Sequence, residues 1–156
     1  MTTEYLRRCL DLAAQALAED DDPFGSVLVG PDGDVLAEDR NRETSSADPT
    51  AHPELVLAQW AAKHLPPDAR AASTVYTSGE HCPMCAAAHA WVGLGPIVYA
   101  ASSAQLAGWR AGWGLPPSPV TTFPITAVAP GIVTTGPVPP FDDEVRQLHE
   151  RRARSR

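Results

Sequence analysis

Apolar positions along the chain change period several times, and each change marks an element. Leu6, Leu10, Ala13 and Leu17 recur at three- and four-residue spacing, the stripe of an amphipathic helix, with Thr3 placed to cap its start. Cys9 lies beside that stripe, where a thiol more often serves as a small buried residue than as a reactive group. The acidic run from Glu19 to Asp22 and then Pro23 end the helix. Ser26 to Val29 reads as a short strand, Pro31-Asp32-Gly33 as a turn, and Val35 to Ala37 as the returning strand. A polar loop from Asn41 to Thr50 leads to a second helix, Pro53 to about His64, closed by Pro66, Pro67 and Asp68. Thr74 to Thr77 is a third strand, and Pro83 to about Val92 a third helix stopped by Gly93 and Gly95. Ile97 to Ala100 and Ile125 to Ala129 read as the fourth and fifth strands, with a short helical piece, Ser102 to Ala107, between them. The Pro-rich stretch 116–140 is expected to be an ordered surface loop holding the fifth strand, and Phe141 to about Arg154 the last helix.

A strand pair followed by alternating helices and strands predicts the α/β class, a three-layer α/β/α sandwich around a five-stranded mixed sheet. The connection between the fourth and fifth strands is long enough for a crossover, so these two are expected to run parallel. With 156 residues the chain suits one domain, 1–156. Its opening residues mix charges with apolar positions, unlike a signal peptide, and no later run approaches a membrane span; a cytoplasmic address is the expectation.

Charge narrows the partners. The formal net charge is -7, but Arg151, Arg152, Arg154 and Arg156 supply four of the twelve basic residues, and no acid lies beyond Glu150. Residues 1–150 therefore carry 8 basic against 19 acidic side chains, a balance of -11 that repels phosphates. A small heterocycle suits this surface better than a long nucleic-acid footprint, and the basic tail reads as a solvated helix end.

Two short segments carry the chemistry: Thr50-Ala51-His52-Pro53-Glu54 and Glu80-His81-Cys82-Pro83-Met84-Cys85. Cys82 and Cys85 alone would suit a redox pair or a structural zinc site equally well. With His52 they form one imidazole and two thiolates, a set matched to tetrahedral Zn2+ with one position left for water. Pro53 and Pro83 sit at first helical positions, so His52 and Cys82 stand at helix starts, and Cys85 lies one turn beyond Cys82 on the same face. Helix N-termini carry partial positive charge, which favours thiolates. Glu54 follows His52 by two residues and is not needed by the metal; its useful role is a proton shuttle.

An H-x-E segment with P-C-x-x-C is the signature of zinc deaminases. The chain resembles the cytidine deaminase-like superfamily, in particular its guanine deaminase and tRNA adenosine deaminase branch. The resemblance runs through Pro23-Phe24-Gly25, Asn41-Arg42, Asp48 to Glu54, Thr77 to Cys85, Trp91 and Ile97 to Ala100. It implies the cytidine deaminase-like fold, one Zn2+ per chain on His52, Cys82 and Cys85, Glu54 as proton shuttle, and a homodimer. It also implies that Asn41 hydrogen-bonds the base, that Phe24 lines the pocket, and that Ala51 and Glu80 border the site mostly through backbone groups. Trp91 matches an aromatic that reaches towards a neighbouring subunit's pocket. Two positions depart from the usual pattern: Pro53 replaces a common alanine, and His81 a common proline.

Bland readings stand beside several of these. Asn41 is also a natural turn residue, Trp91 a natural packing residue, and His81 either pocket wall, surface or rival ligand. His64, His89 and His149 lack ligand-like neighbours, while Trp109 and Trp113 either cap a pocket or pack under a long loop. The expected activity is hydrolytic deamination of a guanine-like heterocycle. Cytosine, a pterin or tRNA adenosine are alternative substrates, and a non-catalytic zinc protein is the alternative class.

Overall fold

The computed structural model describes residues 2–155. Five strands form one mixed sheet: β1 (Gly25–Val29), β2 (Val35–Arg40), β3 (Thr74–Gly79), β4 (Ile97–Ala101) and β5 (Thr134–Thr135). Their order is β2-β1-β3-β4-β5, with β1 antiparallel to both neighbours and β3, β4 and β5 parallel. Helices α1 (Thr2–Ala18) and α7 (Phe141–Arg154) pack together on one face. On the other lie α2 (Pro53–His64), α4 (Pro83–Val92) and α6 (Ile125–Val128). Helices α3 (Pro67–Ala71) and α5 (Ser103–Gly112) complete the chain. No described helix is long and apolar enough to cross a membrane.

The central strand shows why two layers of helices are needed. Every residue of β1 is buried, so both of its faces must be covered. Val27 and Val29 point to α1, where they meet Cys9 and Leu12; Leu28 points the other way, onto Leu57, Ala58 and Ala61 of α2. Ser26 shares the face of Leu28 by alternation, which aims its hydroxyl at the start of α2. Thr77 of β3 is paired with Ser26 across the ladder and faces the same way. Cys9 is fully buried, and burial pushes its thiol well above the usual range, which makes it an inert packing residue.

Gly25 permits the close approach of β1 to α1. A Cβ there would lie 2.4 Å from the Cys9 carbonyl oxygen and 2.5 Å from Leu12 Cβ, both fixed in α1. Gly25→Ala is therefore expected to cost about 3 kcal/mol, read as a lower midpoint in urea unfolding. A midpoint equal to that of the parent would show that α1 can slide without cost.

Three expectations are corrected. Ile125 to Ala129 is the helix α6 followed by a turn, not a strand. Pro124 caps it with preset φ, the Ile125 amide donates to Glu80, and the Ile125 side chain is buried against Ala86 and Ile97. A short apolar run does not distinguish helix from strand, and here capping decides. The fifth strand is instead Thr134–Thr135, parallel to β4 through Ile97 and Val98. Helix α5 runs beyond Ala107 to Gly112, started by a reciprocal capping box between Ser102 and Gln105 and held by Trp109 packing on the α1–α7 core. Thr3 lies within the first turn of α1 rather than before it.

Candidate active site

The starts of α2 and α4 meet beneath the C-terminal end of β3. His52 and Cys82 are their N-caps, each with extended backbone followed by proline, as local sequence chemistry requires. His52 Nδ1 lies 3.6 Å from Cys82 Sγ and 3.6 Å from Cys85 Sγ. Zinc–sulfur bonds of about 2.3 Å and zinc–nitrogen bonds of about 2.0 Å, set at the tetrahedral angle, require an N···S separation of roughly 3.6 Å. The three donors, all within 4.8 Å of one another, thus fit one tetrahedral zinc ion with a vertex to spare. His52 Nε2 lies 3.1 Å from the Pro49 carbonyl, an acceptor that holds the proton on Nε2 and leaves the Nδ1 lone pair for the metal.

The three donors share charge unevenly. The Cys82 thiol is brought down to about 4, first by the hydrogen bond from Cys85 and then by that from His52. Cys85 is pushed far up by the same contact and by burial. His52 is raised to about 10, chiefly by Cys82 and then by Glu43, whose Oε1 is 3.6 Å from Nε2.

Glu54 stands beside this cluster, 7% exposed, and burial holds its carboxyl above the usual carboxylate range. Ser26 Oγ donates to Glu54 Oε1 at 3.0 Å, and the Thr77 hydroxyl is 3.3 Å from the same oxygen. One carboxylate oxygen is thereby pinned to the sheet. Sequence reading assigned Ser26 and Thr77 to strands and gave them no part in the site; their positions on one face of adjacent strands were the available signal.

A cavity of about 280 Å³ opens over the cluster, lined by His52, Glu54 and Cys82. Phe24, Asn41 and Glu80 line it too, so these three expected site residues converge there. Asn41 is buried, with its amide braced at both ends by Glu43: Nδ2 donates to Oε2 at 2.6 Å, and Oδ1 accepts from the Glu43 N–H at 3.0 Å. Phe24 is held edge-on against His149 of α7, ring centroids 4.9 Å apart. Glu80 acts through its side chain rather than its backbone alone. Its two oxygens accept the N–H groups of Ser103 (2.9 Å) and Ile125 (2.8 Å), tying the starts of α5 and α6 to the cavity floor. Glu80→Ala is expected to cost roughly 1–3 kcal/mol, since two part-buried amides lose their acceptor. The check is denaturant unfolding of the zinc-loaded chain, and a loss under 0.5 kcal/mol (about one weak hydrogen bond) would remove Glu80 from this role.

Three expected site residues do not border the cavity. Ala51 is turned aside, its carbonyl accepting the Arg42 amide at 3.1 Å. Trp91 stands 88% exposed on α4. His81, expected in the pocket wall, at the surface or at the metal, is instead fully buried and edge-on to His89 at 5.3 Å, with neither ring nitrogen hydrogen-bonded. Burial keeps its ring neutral. His89 is anchored to the Gly95 carbonyl and His64 stacks on Trp60, so neither joins the cluster.

The far wall of the cavity was not foreseen. It comes from α5 and the loop after it, through Leu106, Arg110, Leu115, Val120 and Phe123. Trp113 does not line it and borders a small second cavity, beside Phe24 and His149. A Pro-rich loop has no periodicity to reveal which residues turn inward.

Residues 1–101 match the family described as the cytidine and deoxycytidylate deaminase zinc-binding region. A guanine deaminase from Bacillus subtilis is 38% identical over 104 residues, covering 66% of this chain and 66% of that protein. A tRNA-specific adenosine deaminase from Haemophilus influenzae is 34% identical over 99 residues, 64% of this chain and 57% of that protein. The chain thus matches just under two thirds, or less, of the length of these curated relatives. A solved structure of guanine deaminase from Nitrosomonas europaea shares the fold, with a TM-score of 0.75 at 22% identity over 96% of this chain and 83% of that one. Carrying the His52, Cys82 and Cys85 donors at the helix starts where such a site needs them, this chain belongs to the zinc-binding cytidine and deoxycytidylate deaminase family.

Proposed function

We propose that this chain is a zinc-dependent hydrolytic deaminase of a small nucleobase-like heterocycle, a guanine-like base first, with residues 1–156 acting as one unit. The observation that carries the reading is a buried carboxylate, Glu54, beside three convergent metal donors at one end of a largely apolar cavity. Zinc held by His52, Cys82 and Cys85 supplies Lewis acidity that brings the pKa of water towards ~7. Glu54 accepts the proton that water gives up and delivers protons to the ring nitrogen and the departing amine. Ser26 and Thr77 hold one of its oxygens and so fix the carboxyl beside the metal donors, with Cys85 also in contact with it. Asn41 keeps one amide N–H for the base, and Phe24 with the apolar wall shields the ring from water.

The Bacillus relative favours guanine over cytosine or a pterin. The Haemophilus relative keeps tRNA adenosine as a second reading, against which stands the -11 balance of residues 1–150. The exposed Trp91 supports assembly as a homodimer with this ring against the second copy. A panel of purines, pyrimidines and pterins, with tRNA as a further arm, assayed for ammonia on the zinc-loaded chain tests the reading. Guanine is expected to react fastest. Release from tRNA alone selects the second reading, and no ammonia from any compound overturns both.

A further inference from the structure

Arg110 differs from the other arginines that pack against the fold, which are matched by acids or, for Arg70, by the carbonyls of Ala61, Ala62 and Leu65. Arg7 pairs with Glu144, Arg8 with Glu38, Arg40 with Asp21, and Arg152 with Asp20 and Asp22. In a chain with 19 acids, Arg110 forms no ion pair among the described residues. It is half-buried on α5, and its one hydrogen bond is a long one, from Nη2 to the Pro116 carbonyl at 3.5 Å. Both Arg110 and Pro116 line the same cavity as His52, Glu54 and Cys82, but from the α5 side; Arg110 also borders the small second cavity, whose acid Asp22 is paired with Arg152. The neighbouring carboxylates are already engaged: Glu80 by two backbone amides, Glu54 by Ser26 and Thr77. A guanidinium has five N–H donors in a planar fork, and most of these have no protein partner here.

A donor fork at the edge of an apolar cavity matches a planar ligand with two adjacent acceptors. The geometry points to Arg110 as the specificity residue that reads an oxo group and the adjacent ring nitrogen on the substrate edge away from the reacting amine. A 6-oxopurine offers that pair as O6 and N7, the bidentate match for arginine. An amino group at the same place would set donor against donor. The assignment rests on the nucleobase-deaminase reading and narrows it to 2-amino-6-oxopurines.

The test compares the zinc-loaded parent with Arg110→Met, which keeps the apolar stem, and Arg110→Lys, which keeps the charge but not the fork. Guanine and 2-aminopurine share the reacting amine and differ in the oxo group. In Arg110→Met the ratio of kcat/KM for guanine over 2-aminopurine is expected to fall roughly 10- to 100-fold, mostly through KM. Arg110→Lys recovers only a small part. Equal losses on both substrates, no loss, or full recovery by lysine would each overturn the assignment. Titration of hypoxanthine and unsubstituted purine, which differ only in the 6-oxo group, with and without zinc, separates this claim from the deamination reading. The parent is expected to prefer hypoxanthine and Arg110→Met to bind the two alike, whether or not ammonia is released from any substrate. Equal binding of both by the parent would refute it.

Discussion

Glu54→Gln is expected to lower turnover by roughly 10²- to 10⁴-fold while the zinc content stays near that of the parent. Glutamine has the shape of glutamate, and its carbonyl oxygen can keep the contacts with Ser26 and Thr77. The metal donors are His52, Cys82 and Cys85, so the cluster itself is untouched. On the proposed mechanism, what is lost is a group that both accepts and returns a proton. Burial already holds this carboxyl above the ordinary carboxylate range, which suits proton exchange and would be a pure cost in a structural zinc site. Ammonia release and zinc content must be measured on the same preparation. Turnover within about threefold of the parent (roughly 0.7 kcal/mol of barrier), with zinc retained, would assign the proton transfers elsewhere.

Legibility in the sequence followed the range over which a feature is encoded. The ligand set was readable because each half is local: His52-Pro53-Glu54 and Cys82-Pro83 carry both the chemistry and the helix start that aims it. The strands β1, β3 and β4 were readable because their apolar runs are bounded by turns and prolines; β2 was read only to Ala37, and its polar half to Arg40 is set by pairing with Val27, Ser26 and Gly25. The parallel pairing of β4 with the last strand followed from connection length, yet the strand itself was misplaced. Ile125 has the apolar run of a strand, but a carboxylate 45 residues earlier in the chain caps it as a helix. The same non-local kind of contact explains the rest. Ser26 and Thr77 meet Glu54 only after two strands have paired, and Arg110 reaches the cavity only once Glu80 has fixed the start of α5. His81 was misjudged for a related reason: its neighbour Cys82 turns to the metal donors, while the His81 ring is buried edge-on against His89 from the second turn of α4.

Acidifying the zinc-loaded chain is expected to release the metal steeply, with apparent affinity falling about 100-fold per pH unit between roughly pH 5 and 9. The slope follows from how many protons zinc must expel from its donors on binding. His52 is raised to about 10, so near neutrality it carries a proton that zinc must expel. Cys85 is pushed well above its ordinary value and holds a second. Cys82, brought down to about 4, is already a thiolate and contributes none until the solution is more acidic. Both raised groups bind protons more tightly as pH falls, so zinc competes worse at low pH and better at high pH. Each expelled proton contributes a factor of ten per pH unit, and two contribute a hundred. Competition against a chelator of known affinity, repeated across that range, reads the slope directly. A slope near one would mean that one of the raised groups is not a ligand, and a slope near three that no thiolate is preformed. His52→Ala removes one of the two protons along with one donor. It is expected to lower affinity at pH 7, flatten the slope towards one and leave the fourth vertex no longer the only open position.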